Sequence, residues 1–399
     1  MTEAVRVSII DPANFSPQYT SNLAQALGRL GARTTLYTSH PLFGHLAEAE
    51  GYSVELPFYR HVSGWRRLRE WSRKRHRWRA VLKAASYPVG LLRLQRLLVG
   101  EPGILHYQWA LAPLLDCRLA AGLRRRGWRT VATAHDLFEE QSLWRFQRAH
   151  YQTFYRSMDA VVVHTGELAG EAVRLGVQPD RVHVIARGDL GRFKGEALSK
   201  AEARARLRIA TDGPLCLFFG LIKPNKGLHI LLEALAAVDH PAVRLLVAGQ
   251  PMEPMDRYHE LARSLHLQDR IEWRLGYVPD DMVGLYFQAC DLVVLPHTAI
   301  SLSGVASVAL GYGTPIVGTR LGGLPDLLRE GEEGYLVEPG STGALAMALT
   351  KAVRDLEGTA EMGRGAAARF AARASWETAA AKSLALYRQL FAGPPQAGA

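Results

Sequence analysis

The chain has 399 residues, 48% hydrophobic and 22% charged, which excludes disorder and collagen-like repeats and leaves room for two domains of roughly 150 to 200 residues. Its three cysteines, Cys117, Cys216 and Cys290, stand far apart with no CxxC spacing, so a disulfide framework or a zinc site has no support and a reducing compartment fits best. A formal charge of +10 points to anionic partners: nucleotide phosphates, lipid headgroups or nucleic acid.

The chain opens with acidic Glu3 and moves directly into a strand-like run at 5–11, whereas a signal peptide needs a basic head and a longer apolar stretch, so a cytoplasmic protein is expected. No run of 18 uncharged apolar residues occurs, and the best candidate, 87–99, is interrupted by Arg93 and Arg96, so no bilayer span is expected. Short β-branched runs at 5–11, 33–38, 103–107, 130–134, 160–164 and 182–185 alternate with helical stretches such as 21–30. The same rhythm returns at 215–219, 243–248, 271–274, 292–295, 315–319 and 335–337. The predicted class is therefore α/β: two Rossmann-like, doubly wound parallel sheets facing a cleft. Gly188, Gly191 and Gly195 interrupt the periodicity at 188–197 and mark a hinge, giving an N-terminal domain over 1–190 and a second over 198–375. A terminal helix over 376–392 then crosses back to the first domain, before a tail containing Gly393, Pro394 and Pro395.

In open parallel sheets ligands lie beyond the carboxyl ends of the strands, where helix N-termini present unpaired N–H groups. The first such loop here runs from Gly220 through Lys223 and Lys226 to Gly227, at the head of a helix predicted over 228–237. Lysines beside a helix N-terminus suit a diphosphate, and glycine lets the backbone approach it; an ordinary solvated turn is the alternative. The second loop follows the strand at 292–295 and holds Ser301, Ser303, Gly304 and Val305 before a small-residue helix over 305–312. Those small residues suit an anion cradle, and simple N-capping by either serine is the alternative. A third glycine turn, Gly322-Gly323, follows the strand at 315–319.

The order Gly220 with Lys226-Gly227, then Leu295-Pro296, then Gly313 and Pro315 leading to Gly322-Gly323-Leu324-Pro325-Asp326, then 331–337, resembles the donor domain of family 4 glycosyltransferases of the GT-B class. The likeness covers most of 215–339, and more loosely the first domain through Thr133-Ala134-His135-Asp136 and the terminal helix. It implies a nucleotide-diphosphate sugar held mainly by the second domain, an acceptor held mainly by the first, retention of anomeric configuration, and no metal or other cofactor. Carried over residue by residue, Lys226 contacts donor phosphate, and Ser303, Gly304 and Val305 offer backbone N–H groups. Lys223 takes the work of an arginine that many members place just after the glycine, where this chain has Leu221. His135, at a strand end, lies near the donor sugar and acceptor, and with Lys226 and Lys223 makes the expected catalytic set. Asp136, Tyr19 and the weaker candidate His106 fall on the acceptor side, and His164 is expected to be structural.

One departure is plain. The family's E-x7-E glutamates, of which the second binds the ribose diol, fall at Ile300 and Val308. Two readings besides an enzyme follow: a catalytically silent GT-B subunit binding a glycan or partner, and a sugar-nucleotide epimerase, for which no set of cleft carboxylates is visible.

Much of the net charge lies in 60–83, where Arg66, Arg67, Arg73, Lys74, Arg75 and Arg77 interleave with Trp71 and Trp78. This pattern suits an amphipathic segment on anionic lipid, and a solvated helix with inward tryptophans is the alternative. No RNA- or DNA-binding module is recognisable, so nucleic acid is not an expected partner. The family context favours a lipid-linked glycan or similar acceptor, in cell-surface polysaccharide or glycolipid synthesis at the inner membrane face.

Overall fold

A computed structural model describes residues 4–40, 49–59, 76–135, 137, 145–188, 196–210, 213–299, 303–373 and 375–392. The chain divides into two compact units, Met1–Gly188 with Ala374–Ala399, and Asp189–Arg373.

Unit 1 is built on β1 (Arg6–Ile10), β2 (Arg33–Tyr37), β3 (Ser53–Glu55), β4 (Ile104–Tyr107), β5 (Arg129–Ala134), β6 (Ala160–Val163) and β7 (Val182–Val184), in the order β3-β2-β1-β4-β5-β6-β7. Every pairing is parallel. Strands covered on both faces read as continuous apolar runs, and β4 and β6 are buried at every residue. Helix Pro17–Arg29 opens on Pro17, whose fixed φ suits the first helical position, and buries its Tyr19–Leu27 stretch. The terminal helix Trp376–Ala392 packs beside it, with Ala380, Leu384 and Tyr387 joining Val7, Ile9, Leu23 and Leu27 in one apolar cluster.

Unit 2 carries β8 (Leu215–Phe219), β9 (Arg244–Gly249), β10 (Ile271–Leu275), β11 (Leu292–Leu295), β12 (Ile316–Thr319) and β13 (Tyr335–Val337), ordered β10-β9-β8-β11-β12-β13 and parallel throughout. Both sheets are doubly wound. Each therefore has one point where strand order reverses, between β1 and β4 in unit 1 and between β8 and β11 in unit 2, and a crevice opens there between loops leaving in opposite directions. At the opposite end of the second sheet, buried Asp291 ties the strand starts together, accepting from Leu215 N at 2.7 Å and Arg204 Nη2 at 2.7 Å and pairing with Lys200.

The predicted strands all form, within a residue or two of their expected limits. The exception is β3, which the sequence does not announce: three residues with only Val54 partly shielded make an edge strand without an apolar pattern. Helix Pro17–Arg29 also starts four residues before its predicted beginning, because Pro17 and the buried Tyr19 and Thr20 belong to it.

Candidate functional site

The loop after β8 is shaped by glycines in positive φ. Gly220 (φ +108°) turns the chain out of the strand, and its N–H donates to Ala248 O at 3.0 Å at the end of β9. Lys223, Pro224, Asn225 and Lys226 then form a single 3₁₀ turn, closed by Lys226 N to Lys223 O at 3.0 Å. Gly227 (φ +70°) switches the backbone into helix Leu228–Ala236. A Cβ on Gly227 would lie 1.8 Å from Pro296 O, so glycine is what lets this loop sit against the loop after β11. Two further bonds fasten the loops together, Thr298 N to Asn225 O at 2.9 Å and Asn225 Nδ2 to Ala299 O at 3.0 Å.

This bracing sets Lys226 beside His297. Both lysines of the loop are half-buried, and Leu221, at the position of the family's arginine, is exposed. His297 is buried, with its carbonyl accepting from Thr319 Oγ1 at 2.9 Å. Burial first, and then the neighbouring Lys226 ammonium, push its pKa down to about 3. At neutral pH it is thus an uncharged imidazole next to a cation, able to donate or accept a hydrogen bond without cancelling that charge. The sequence reading passed over His297, although its place directly after Leu295-Pro296 at a strand end is the same signal that singled out His135.

Helix Gly304–Tyr312 begins across the switch point. Ser303 caps it by accepting from Ala306 N at 3.2 Å, which leaves the amides of Gly304 and Val305 uncommitted to the cap. Val305 faces Gly220: a Cβ on that glycine would meet Val305 Cγ2 at 3.4 Å. Gly220, Gly227, Lys226, Ser303 and Val305 therefore belong to two adjoining loops of one sheet end. Gly322 (φ +57°) and Gly323 follow β12, one strand along, where Gly323 precedes the short helix Leu324–Leu327. Ser301 and Ile300 lie outside the described residues. Val308 is buried among the apolar residues of its helix. Replacing Ser303 with alanine is expected to cost about 1 kcal/mol, the usual worth of an N-cap, readable as a lower chemical-denaturation midpoint.

In unit 1 the strand ends bring together a chain of side chains. His164 Nδ1 lies 3.0 Å from Ile185 O, and His164 Nε2 lies 3.2 Å from His135 Nδ1. His135 Nε2 is 2.9 Å from Gln108 Oε1, and Gln108 Nε2 is 3.3 Å from His106 Nε2. His106 also contacts Thr133 Oγ1 at 2.8 Å and Tyr387 OH at 2.6 Å. The Tyr19 ring stands nearly perpendicular to that of His135, with centroids 4.6 Å apart, and Trp109 stacks on His135 at 5.0 Å. His106, His135 and Tyr19 thus meet as expected, while Asp136 lies outside the described residues. Gln108 and Trp109 were not anticipated, since only the register of β4 against β5 places them by His135.

Hydrogen-bond direction constrains the protons. A carbonyl only accepts, so His164 Nδ1 carries a proton, and a neutral His164 then accepts at Nε2 from His135 Nδ1–H. A neutral His135 must in turn accept at Nε2, which the NH₂ end of Gln108 can satisfy and its oxygen cannot. With Oε1 facing His135, the His135–His164 pair holds one extra proton; rotating the amide by 180° fits the neutral pair. Burial, the leading cause at all three, pushes His106 down to about 3, His164 to about 4 and His135 well below the ordinary range.

These directions give a pH dependence. An unfolded chain protonates His106, His135, His164 and His297 below about pH 6.5 while the folded one resists, so stability drains away as pH falls from there towards 4. Asp11 and Asp116, raised by burial to about 6 and about 7, oppose this because the folded chain protonates them first. Two carboxyls do not offset four imidazoles, so urea midpoints are expected to drop between pH 7 and 5; a midpoint that rises over that interval would refute this balance.

Comparison with known proteins follows the same division of the chain. The family described as "Glycosyl transferases group 1" matches residues 199–369, and "Glycosyltransferase Family 4" matches residues 17–189. A D-inositol 3-phosphate glycosyltransferase of Corynebacterium glutamicum (strain R) is 30% identical over 291 residues, covering 68% of this chain and 69% of that one. Its counterpart in Streptomyces scabiei (strain 87.22) is 32% identical over 244 residues, covering 58% of this chain and 54% of that one, so the match spans about half of that relative. Among solved structures, Anabaena HepE in complex with UDP superposes with a TM-score of 0.75 at 19% identity, covering 96% of this chain and 100% of that one. With two parallel doubly wound units, glycine-braced loops at the switch point and both family matches, the chain belongs to the family 4 (group 1) glycosyltransferases of the GT-B fold.

Proposed function

We propose that the chain transfers a sugar, with retention and without a metal, from a nucleotide-diphosphate sugar to a lipid-linked glycan or similar acceptor. The observation that carries this is Lys226 beside neutral, buried His297 where the β8 and β11 loops meet. Departure of a nucleoside diphosphate concentrates negative charge on its phosphates, and a preorganised cation with helix N–H groups beside it stabilises that charge more than it stabilises the intact donor. Lys226, Lys223 and the first amides of helix Gly304–Tyr312 fill that role. Unit 1 holds the acceptor, with His135 at its reacting hydroxyl.

Thermal shifts with uridine, guanosine and adenosine diphosphate sugars test the donor half. A bound donor at 100 times its dissociation constant stabilises by about 2.7 kcal/mol. One of the three is expected to raise the melting temperature, and the UDP seen in the HepE structure makes the uridine series the first to try. A shift without hydrolysis or transfer would favour a silent subunit, the reading that buried aliphatic Val308 at a ribose-binding position supports.

The proposal extends to an anionic lipid surface. Arg66, Arg67, Trp71, Arg73, Lys74 and Arg75 lie outside the described residues, and Arg77 and Trp78 fall in the first turn of helix His76–Leu97. Further along, that helix exposes Leu82, Val89 and Leu92 on one side with Arg96. Apolar residues exposed in line after a basic run suit shallow insertion below anionic headgroups. No helix among the described residues is long and apolar enough to cross a membrane. Co-sedimentation with anionic vesicles is expected, lost on neutralising the five basic residues of 73–79, each contributing about 1 kcal/mol near such a surface. Equal binding to neutral vesicles would contradict it.

A further inference from the structure

The amide of Gln108 stands between two imidazoles, and its neighbours decide which way it points. His106, Gln108, Thr133, His135, His164 and Tyr387 are all buried, so a donor left facing a donor here is costly. Ile185 O fixes the far end by taking a hydrogen from His164 Nδ1. Neutral rings then run from His135 Nδ1–H to His164 Nε2 and leave His135 Nε2 as an acceptor. That acceptor calls for the NH₂ of Gln108, which turns the amide oxygen towards His106. His106 must therefore carry its hydrogen at Nε2, where Thr133 Oγ1 at 2.8 Å is a further acceptor.

The near end agrees on separate contacts. With Nε2 protonated, His106 Nδ1 is bare, and Tyr387 OH lies 2.6 Å from it, within reach to donate its phenol hydrogen. Thr133 accepts from His106 and can pass its own hydrogen to Tyr19, with which it shares a hydrogen bond. Every donor from Tyr387 to Ile185 O then finds an acceptor, and no ring is charged. The opposite orientation, with the NH₂ on His106 and the oxygen on His135, puts one extra proton on the His135–His164 pair. Arg187 already brings a cation to this spot: its guanidinium lies over the Tyr19 ring, 5.4 Å from Cζ to the centroid, and its charge acts on both histidines. A second cation among these buried groups is disfavoured by that repulsion and by desolvation.

We infer that Gln108 is a positioning residue for the transfer: aligned by His106, Thr133 and Tyr387, its amide gives a hydrogen to His135 Nε2 and holds that ring uncharged in the Nδ1–H form. The consequence for the reaction is electrostatic. Positive charge builds on the donor sugar as its bond to the diphosphate breaks, and an imidazolium at the reacting hydroxyl would oppose it. The terminal helix thereby acts on the site from a distance, since Tyr387 sets His106 and His106 sets Gln108. The inference rests on His135 standing at the acceptor hydroxyl, and it deepens that reading by assigning the ring's tautomer, its charge and the residue that sets both.

Imidazole ¹⁵N spectra of the full histidine-labelled chain, without ligand at neutral pH and assigned residue by residue, read these hydrogens directly. His106 is expected with Nε2 protonated, and His135 and His164 with Nδ1 protonated. Gln108→Glu, which only accepts while ionised, is expected to place a proton on the His135–His164 pair, and Gln108→Met, of similar volume, to leave both rings neutral. Turnover of the nucleotide sugar that raises the melting temperature separates positioning from packing. In Gln108→Glu kcat should fall at least about tenfold with the donor KM unchanged, and the loss should ease as pH rises and the extra proton leaves. Gln108→Met should lose less, and equally at every pH. Of the titratable groups facing His135, Tyr19 stays neutral, its hydroxyl pushed up to about 12 by burial, and Arg187 stays charged, so the pH response reports His135 with His106 and His164. Wild-type His106 protonated at Nδ1, a wild-type imidazolium at His135, or equal effects of the Glu and Met substitutions on the spectra and on kcat would overturn the inference. Normal turnover by His135→Ala would instead count against the place of His135 in the proposed function. The wild-type spectra decide the orientation of Gln108 in that case, and equally if Gln108→Glu fails to fold.

Discussion

Lys226→Ala is expected to lower kcat/KM for sugar-nucleotide turnover by about 10²–10³-fold, the usual cost of removing one preorganised donor from a developing oxyanion. The residue is half-buried in a turn whose backbone is fixed at both ends, by Gly220 against Ala248 and by Gly227 against Pro296, so the point from which its side chain extends is set before any ligand arrives. Lys223 shares the loop but stands at the opening position of the turn, and its removal should cost less. The charge also acts on His297, so the same substitution should let that imidazole titrate closer to its ordinary range. Initial rates at varied donor concentration separate the outcomes: a fall confined to KM would mean ground-state binding alone, a fall in kcat a role in the reaction, and near-normal values of both would remove Lys226 from the site.

Gly227→Ala is expected to destabilise unit 2 by about 2–5 kcal/mol and to abolish turnover. About 1–2 kcal/mol comes from placing an L-residue at φ +70°, and about 1–3 from forcing apart the backbones that a Cβ would bring to 1.8 Å. Gly331→Ala is the control, because that glycine has a similar φ of +75° and open space around it. It should lose only the conformational part. Chemical denaturation of both variants gives the difference directly; equal losses would mean that contact between the two loops contributes nothing.

The strands were legible because parallel sheets bury both faces, so runs such as 215–219, 292–295 and 335–337 stay apolar throughout. The donor-side loops were legible for a related reason: lysines and glycines at a strand end announce a turn that approaches an anion. What lay hidden was contact between loops. Gly227 reads as a turn glycine in sequence, yet its tightest neighbour is Pro296, and His297 gains its meaning only from the Lys226 set beside it. The histidine chain was hidden more deeply. His106, His135 and His164 belong to three successive strand ends, and Tyr387, which meets His106, lies 281 positions away. Three-residue β3 shows the complementary limit, an element held by pairing with β2 and by no pattern of its own.

The central claim is that the β8 and β11 loops receive the donor diphosphate at Lys226 and His297. Imidazole ¹⁵N spectra of the histidine-labelled chain, recorded as uridine, guanosine or adenosine diphosphate is added, test it most directly. The His297 resonance, assigned with a His297→Gln variant, is expected to move with the nucleotide that binds, and to stay still in Lys226→Ala. Saturable binding that shifts His106, His135 or His164 and leaves His297 unmoved would contradict it.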